Sequence, residues 1–225
     1  MRTKALLCAA GMLAAAATSM AQSNVYSLNV VGYINIPYTN GFQMVANQLH
    51  SDSTGTNNTV GGVFGTNLPT GTQVYGFSTT SGYATATLIA NGTWTGGQPV
   101  VNESLSAGRG VWLRIPGASG TGGNVTIVGE VKQGTTGVPI ATGFQISSLV
   151  PPLSTTIKTA MGYPAGTGDR VFQFSNATGY LPTRTYLASG SWTPTEPTPA
   201  VGESFWISRA AANGATTWNQ TYNVP

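Results

Sequence analysis

The chain has one histidine, His50, standing two residues before Asp52, and any Ser-His-Asp triad would have to run through that pair. His50 lies just past an apolar stretch, Phe42 to Leu49, and just before the polar run Ser51 to Asn58, and the second half of the chain has no matching histidine. A surface-loop histidine is therefore the expectation. The other route to chemistry is a pair of carboxylates flanking a glycosidic bond. The acids are Asp52, Glu103, Glu130, Asp169, Glu196 and Glu203. Asp169 aligns with Thr72 and Glu203 with Arg109 in the internal comparison described below, which reads as surface turn positions. One histidine and one cysteine, Cys8, cannot supply a zinc site, and no calcium loop of clustered acids occurs. The glycine-rich stretches Gly61-Gly62 and Gly117 to Gly123 lack a P-loop lysine or Rossmann spacing. No catalytic residue, metal ligand or cofactor is expected.

Binding chemistry has better material. Trp94 and Trp192 each follow a glycine turn and precede Thr or Pro, a setting that suits exposed rings able to stack on sugar faces. Tyr83 and Tyr180, each after a turn glycine, join them as expected ligand contacts. Tyr75 and Phe172, Phe77 and Phe174, and Trp112 and Trp206 occupy strand-like positions in both halves and are expected in the core.

These pairs come from an internal repeat. Gly41-Phe42-Gln43-Met44-Val45 recurs as Gly143-Phe144-Gln145-Ile146-Ser147, and Gln73-Val74-Tyr75-Gly76-Phe77 as Arg170-Val171-Phe172-Gln173-Phe174. Gly82-Tyr83 matches Gly179-Tyr180, Gly92-Thr93-Trp94 matches Gly190-Ser191-Trp192, and Gly110-Val111-Trp112-Leu113 matches Ser204-Phe205-Trp206-Ile207. Between these blocks, short period-2 runs rich in Val, Thr and aromatics alternate with Gly and Pro turns. The fold expected is all-β, a tandem duplication of a small β-sandwich or barrel-like unit with at most one short helix each, at Val60 to Phe64 and Thr156 to Met161. The units span 35–131 and 138–225, joined by a Gly/Thr-rich linker at 132–137. Segments near Val30, Ile127 and Trp218 read as edge-type strands before, between and after the bodies. The N-terminal strand, 22–34, carries Val30, Val31, Tyr33 and Ile34. It would pair either within its own chain, the favoured arrangement, or with an open edge of a second copy.

The first 21 residues read as a secretory signal: Arg2 and Lys4, an apolar run from Ala5 to Ala17, and small residues at Ser19 and Ala21. Without them seven basic residues face six acidic ones, for a net charge of about +1, and no cysteine remains. Charged residues are 7% of the chain, against about 25% in ordinary soluble domains. No nucleic-acid partner is expected from so few cations, and no transmembrane segment in the mature chain.

The blocks Gly-Phe-x-Met/Ile, Val-Tyr/Phe-x-Phe, Gly-Tyr and Gly-Glu-Ser-Phe-Trp-Ile, with the opening Val25-Tyr26-Ser27-Leu28-Asn29-Val30-Val31-Gly32-Tyr33, resemble a family of secreted bacterial two-repeat β proteins for which no activity is established. The resemblance implies an exported surface module of a Gram-negative bacterium. The first unit departs from it at Ala107-Gly108-Arg109-Gly110. The functional expectation is a non-catalytic secreted or cell-surface protein for structure or adhesion, self-associating through edge strands. The alternative is a glycan-binding module whose partner is an extracellular polysaccharide. A glycoside hydrolase or esterase has the least support.

Overall fold

The computed structural model describes residues 30–51, 58–117 and 122–224. The expected signal, the start of the N-terminal strand (22–29) and Asp52 lie outside them. The fold is all-β, with several antiparallel sheets and two short helices among the described residues.

Two five-stranded sheets form the body. The first is ordered β2 (Gly41–Val45), β6 (Val111–Ile115), β3 (Gln73–Ser78), β4 (Gly82–Leu88), β5 (Trp94–Gly96). The second is ordered β9 (Gly143–Ser148), β15 (Ser204–Arg209), β10 (Arg170–Phe172), β13 (Arg184–Tyr186), β14 (Trp192–Thr193). The matched blocks of β2, β3, β5 and β6 fall at the places of β9, β10, β14 and β15 in the second order, while Gly179-Tyr180, the match of Gly82-Tyr83, falls outside it. The hairpin that β3 and β4 close continuously is split in the second half, where β11 (Phe174–Ser175) and β12 (Gly179–Tyr180) form a separate tip.

Each sheet buries one face under a two-stranded ribbon. In β1 (Val31–Tyr38) Ile34 and Ile36 point inward while Val31, Tyr33 and Asn35 point out, the alternation a one-sided strand requires. β1 pairs with β7 (Gly123–Glu130), setting Ile34 opposite Ile127 and Ile36 opposite Val125. These four side chains join Val74, Leu88, Leu113 and Ile115 of the first sheet in one core. β8 (Gly134–Ile140) and β16 (Thr216–Tyr222) make the second ribbon, which adds Val138, Ile140 and Trp218 to the second core.

Three expectations change. The segment read as a linker, 132–137, enters β8 at Gly134, because Thr135 and Thr136 suit a strand and find partners in Thr221 and Gln220. Helix α1 forms at Val60–Phe64 behind the cap Thr59, but Ile157 to Met161 is a run of turns. There Glu196 accepts the backbone N–H groups of Lys158 and Thr159 at 2.6 and 2.7 Å and ties the turns to the segment before β15. The other helix, α2 (Gln98–Glu103), lies in the first half, where Pro99 suits its first turn. The N-terminal strand pairs within its own chain, the favoured arrangement, but Ile34, expected among the contacts to a second copy, is core.

The halves meet through reciprocal contacts. Ala46 N–H donates to the Gly202 carbonyl at 2.8 Å, and Ser148 N–H to the Gly108 carbonyl at 2.9 Å. Gly108 and Gly202 have φ of +74° and +77°. A Cβ on Gly108 would stand 2.2 Å from Val138, and one on Gly202 2.7 Å from Ile36. Each turn thus presses bare backbone against the other half's ribbon, a place only glycine fits.

Candidate functional site

With one face of each sheet committed to its own core, the outer faces decide what the protein can touch. Residues opposite one another on antiparallel strands share a face. The register therefore places Met44, Trp112, Tyr75 and Thr85 in one row across the first sheet and Phe42, Arg114, Gln73, Thr87 and Thr95 in the next. On the second sheet Ile146, Trp206 and Phe172 make the first row, and Phe144, Ser208, Arg170, Thr185 and Thr193 the second.

The aromatic rows pack against each other across the seam. Met44, Trp112, Ile146 and Trp206 form a third buried cluster flanked by Tyr75, Phe77, Phe172 and Phe174. The contact is swapped: the Phe77/Tyr83 hairpin of the first half covers Trp206, with centroids 4.9 and 6.3 Å away. The Phe174/Tyr180 tip of the second covers Trp112 at 4.8 and 6.2 Å. Nearly every pair is edge-on, the arrangement favoured by ring quadrupoles. Asn176, at that tip, donates to the Asn40 carbonyl at 2.8 Å and locks it to the first half.

This packing leaves two open clefts. One, of about 500 Å³, is lined by Phe42, Tyr75, Tyr83, Thr85, Trp112 and Phe174. The other, of about 690 Å³, is lined by Phe144, Phe172, Tyr180, Thr183, Trp206 and Phe77. The linings correspond residue for residue, and each draws one ring from the opposite half. Neither contains a charged side chain. Phe42, Tyr83, Phe144 and Tyr180 are 42%, 54%, 54% and 56% exposed, so ring surface remains for a ligand. Burial pushes the Tyr83 hydroxyl pKa up, a hydrogen bond with Trp112 partly offsets this, and nearby Tyr180 adds to the rise.

Of the expected contacts, Tyr83 and Tyr180 therefore stand in the clefts, while Trp94 and Trp192 do not. Trp94 lies opposite Leu88 and Trp192 opposite Tyr186, which puts both indoles on the inner faces. They are 6% and 8% exposed, and the Trp94 Nε1–H donates to the Gly65 carbonyl at 2.7 Å. Phe42 and Phe144 were missed as surface rings. Their period-2 phase with Met44 and Ile146 was legible, but that face reads as core until the seam is known.

His50, Asp169, Glu196 and Glu203 have structural work. His50 is buried and exchanges backbone bonds with Glu130, N–H to carbonyl at 2.9 and 2.7 Å, so it is not a surface-loop residue. Asp169, expected at a surface turn, is fully buried. Its carboxylate accepts bonds from Arg209 at 3.0 Å, Asn213 at 2.7 Å and the backbone N–H groups of Gly166 and Ala210. Burial, then the charge of Asp169, pushes the pKa of the neighbouring Tyr163 hydroxyl well up, with Arg209 opposing. Glu196 and Glu203 line a separate cavity with Arg184. Glu196 holds Lys158 and Thr159, and Glu203 accepts from Gln173 at 2.9 Å and the Ala200 N–H at 2.7 Å. Glu103 is exposed on α2. Among the described residues no group of three or more His, Cys, Asp or Glu could hold a metal ion, and no helix is long and apolar enough to cross a membrane.

Val31 and Tyr33 are exposed at 66% and 73% on the outer side of the first ribbon, where β1 has β7 as its sheet neighbour, and Val30, just before β1, is exposed at 36%. The corresponding ribbon of the second half carries Thr135 and Thr221, whose hydroxyls bond at 2.7 Å. In comparisons with known proteins, no family model, no curated protein and no solved structure matches this chain.

Proposed function

We propose that the protein is an exported, non-catalytic adhesion module that holds an extracellular or cell-surface material through its paired aromatic clefts. The observation that carries this reading is the matched pair of open clefts, lined by aromatic rings and free of charged side chains. Concave sites with aromatic walls and a few hydroxyls bind by stacking and apolar burial. Tyr83 and Tyr180 hold more than half their surface open. Asp169, Glu196 and Glu203 spend their carboxylate oxygens on backbone and side-chain donors, which favours binding over hydrolysis. Self-association through the N-terminal strand is the second mode: Val31, Tyr33 and Val128 form an exposed apolar group on the first ribbon, and a one-neighbour strand can accept another.

The test is retention of the purified protein on cell envelopes and on insoluble polysaccharides, compared with a Tyr83→Ala, Tyr180→Ala double variant of unchanged fold. Retention that drops in the variant supports the reading. Retention that ignores the substitutions, or its absence on every material, rejects it.

A further inference from the structure

The clefts do not end at their rings. On each outer face the second row continues outward into a polar strip: half-buried Gln73 and Thr87 and exposed Thr95 on the first sheet, half-buried Thr185 and exposed Thr193 on the second. Each row also holds one arginine. On the first sheet it is Arg114, whose guanidinium sits 5.9 Å over the Phe42 ring and donates to Gln73 at 2.9 Å. On the second sheet the position matching Arg114 is Ser208, and the arginine has moved one strand over to Arg170, the partner of Ser208 and the match of Gln73. Identical packing would have kept identical positions. Instead the residues differ while the cation persists on both faces. Neither row contains an acid to pair with it.

We infer that the two clefts take successive stretches of one acidic polysaccharide, with pyranose rings stacked on the cleft aromatics and uronate carboxylates paired with Arg114 and Arg170. This rests on the cleft reading above and adds the ligand class. Three features select it. Aromatic walls without charge take the apolar face of a ring. Threonine hydroxyls beside them meet ring hydroxyls, which an aliphatic ligand lacks. A guanidinium at the rim recognises a carboxylate through paired N–H donors. Two corresponding sites beside one packed seam suit a polymer of repeating units, since binding at one raises the effective concentration at the other.

Retention of the purified protein would be measured in affinity gels containing polygalacturonate, alginate or hyaluronate, with fully methyl-esterified polygalacturonate as the neutral arm. The expected result is retention by at least one acidic polymer that weakens as salt rises, with much weaker retention by the ester. Arg114→Gln with Arg170→Gln should bring the acidic polymer down to the ester's level. Phe42→Ala and Phe144→Ala, each disabling one cleft at an exposed ring, should each cost on the order of a hundredfold, the factor that separates one-point from two-point attachment. Equal retention of acid and ester forms overturns the acidic class while leaving the clefts as the binding surface. Retention of an acidic polymer that neither phenylalanine variant changes overturns the clefts themselves. No retention on any acidic polymer overturns the inference.

Discussion

The ring of Phe174, on the hairpin tip of the second half, stands edge-on to Trp112 of the first, with centroids 4.8 Å apart and planes at 76°. Phe77 meets Trp206 in the same way at 4.9 Å and 74°. The two contacts are reciprocal, so each half completes the aromatic wall of the other's cleft. Removing Trp112 or Trp206 takes out a buried indole and leaves a cavity, which costs about 3–5 kcal/mol. The two Ala variants should lose similar amounts in urea unfolding. A double-mutant cycle of Trp112 with Phe174 should return a coupling of about 0.5–1.5 kcal/mol; zero coupling would mean the seam is not packed as described.

Asp169 and Arg209 form the ion pair at 3.0 Å with side chains 0% and 5% exposed. Asp169→Asn leaves the guanidinium buried without its counter-charge, at a cost of about 3–5 kcal/mol. Pairing Asp169→Asn with Arg209→Met should recover part of that loss. Denaturant midpoints of the three variants decide the matter, and a harmless single variant would contradict the burial.

Tyr163 gives a pH dependence with a fixed sign. Its folded pKa is raised above the ordinary value of 10.0, so the folded state keeps the proton that the unfolded state surrenders. The stability this group contributes is whole below the unfolded value and is lost as pH climbs towards and through the folded one. Melting temperature should therefore decline above about pH 10. Tyr163→Phe should flatten that decline, and an identical slope in both proteins would exclude Tyr163 as its source.

Trp94 separates packing from recognition. Trp94→Phe leaves the Gly65 carbonyl without its donor at the end of α1 and should lower stability by about 1–3 kcal/mol. It should not change retention on any material that the native protein binds. Tyr83→Ala should do the reverse, with little effect on stability and a clear loss of retention.

Gly108→Ala and Gly202→Ala test the seam at its backbone. Each adds a methyl against the opposite ribbon in a left-handed turn, and overpacking with that strain costs about 2–4 kcal/mol. Calorimetry should show both variants destabilised, with Gly108→Ala, the closer contact, the worse.

Local pattern fixed a good deal. The alternation of Ile34 and Ile36 in β1 and the turn glycines before Tyr83 and Tyr180 are written in a few neighbouring residues each, because strands and turns answer to short-range spacing. The blocks Gly41 to Val45 and Gly143 to Ser147 fall on strands, β2 and β9, for the same reason. What lay beyond them was any property that depends on which side of a sheet finds a partner. Trp94 and Trp192 carry as good a turn context as Tyr83 and Tyr180, yet their strand register turns them inward. Asp169 follows a turn glycine and reads as surface until Arg209, forty residues on, folds over it. Trp112 and Phe174 show ordinary core phase, but only the meeting of the two halves makes them walls of an open cleft. Amino-acid order by itself determined an all-β chain with paired aromatics. Tertiary structure decided which of those aromatics face water, because burial is set by distant surfaces coming together and no local spacing encodes that.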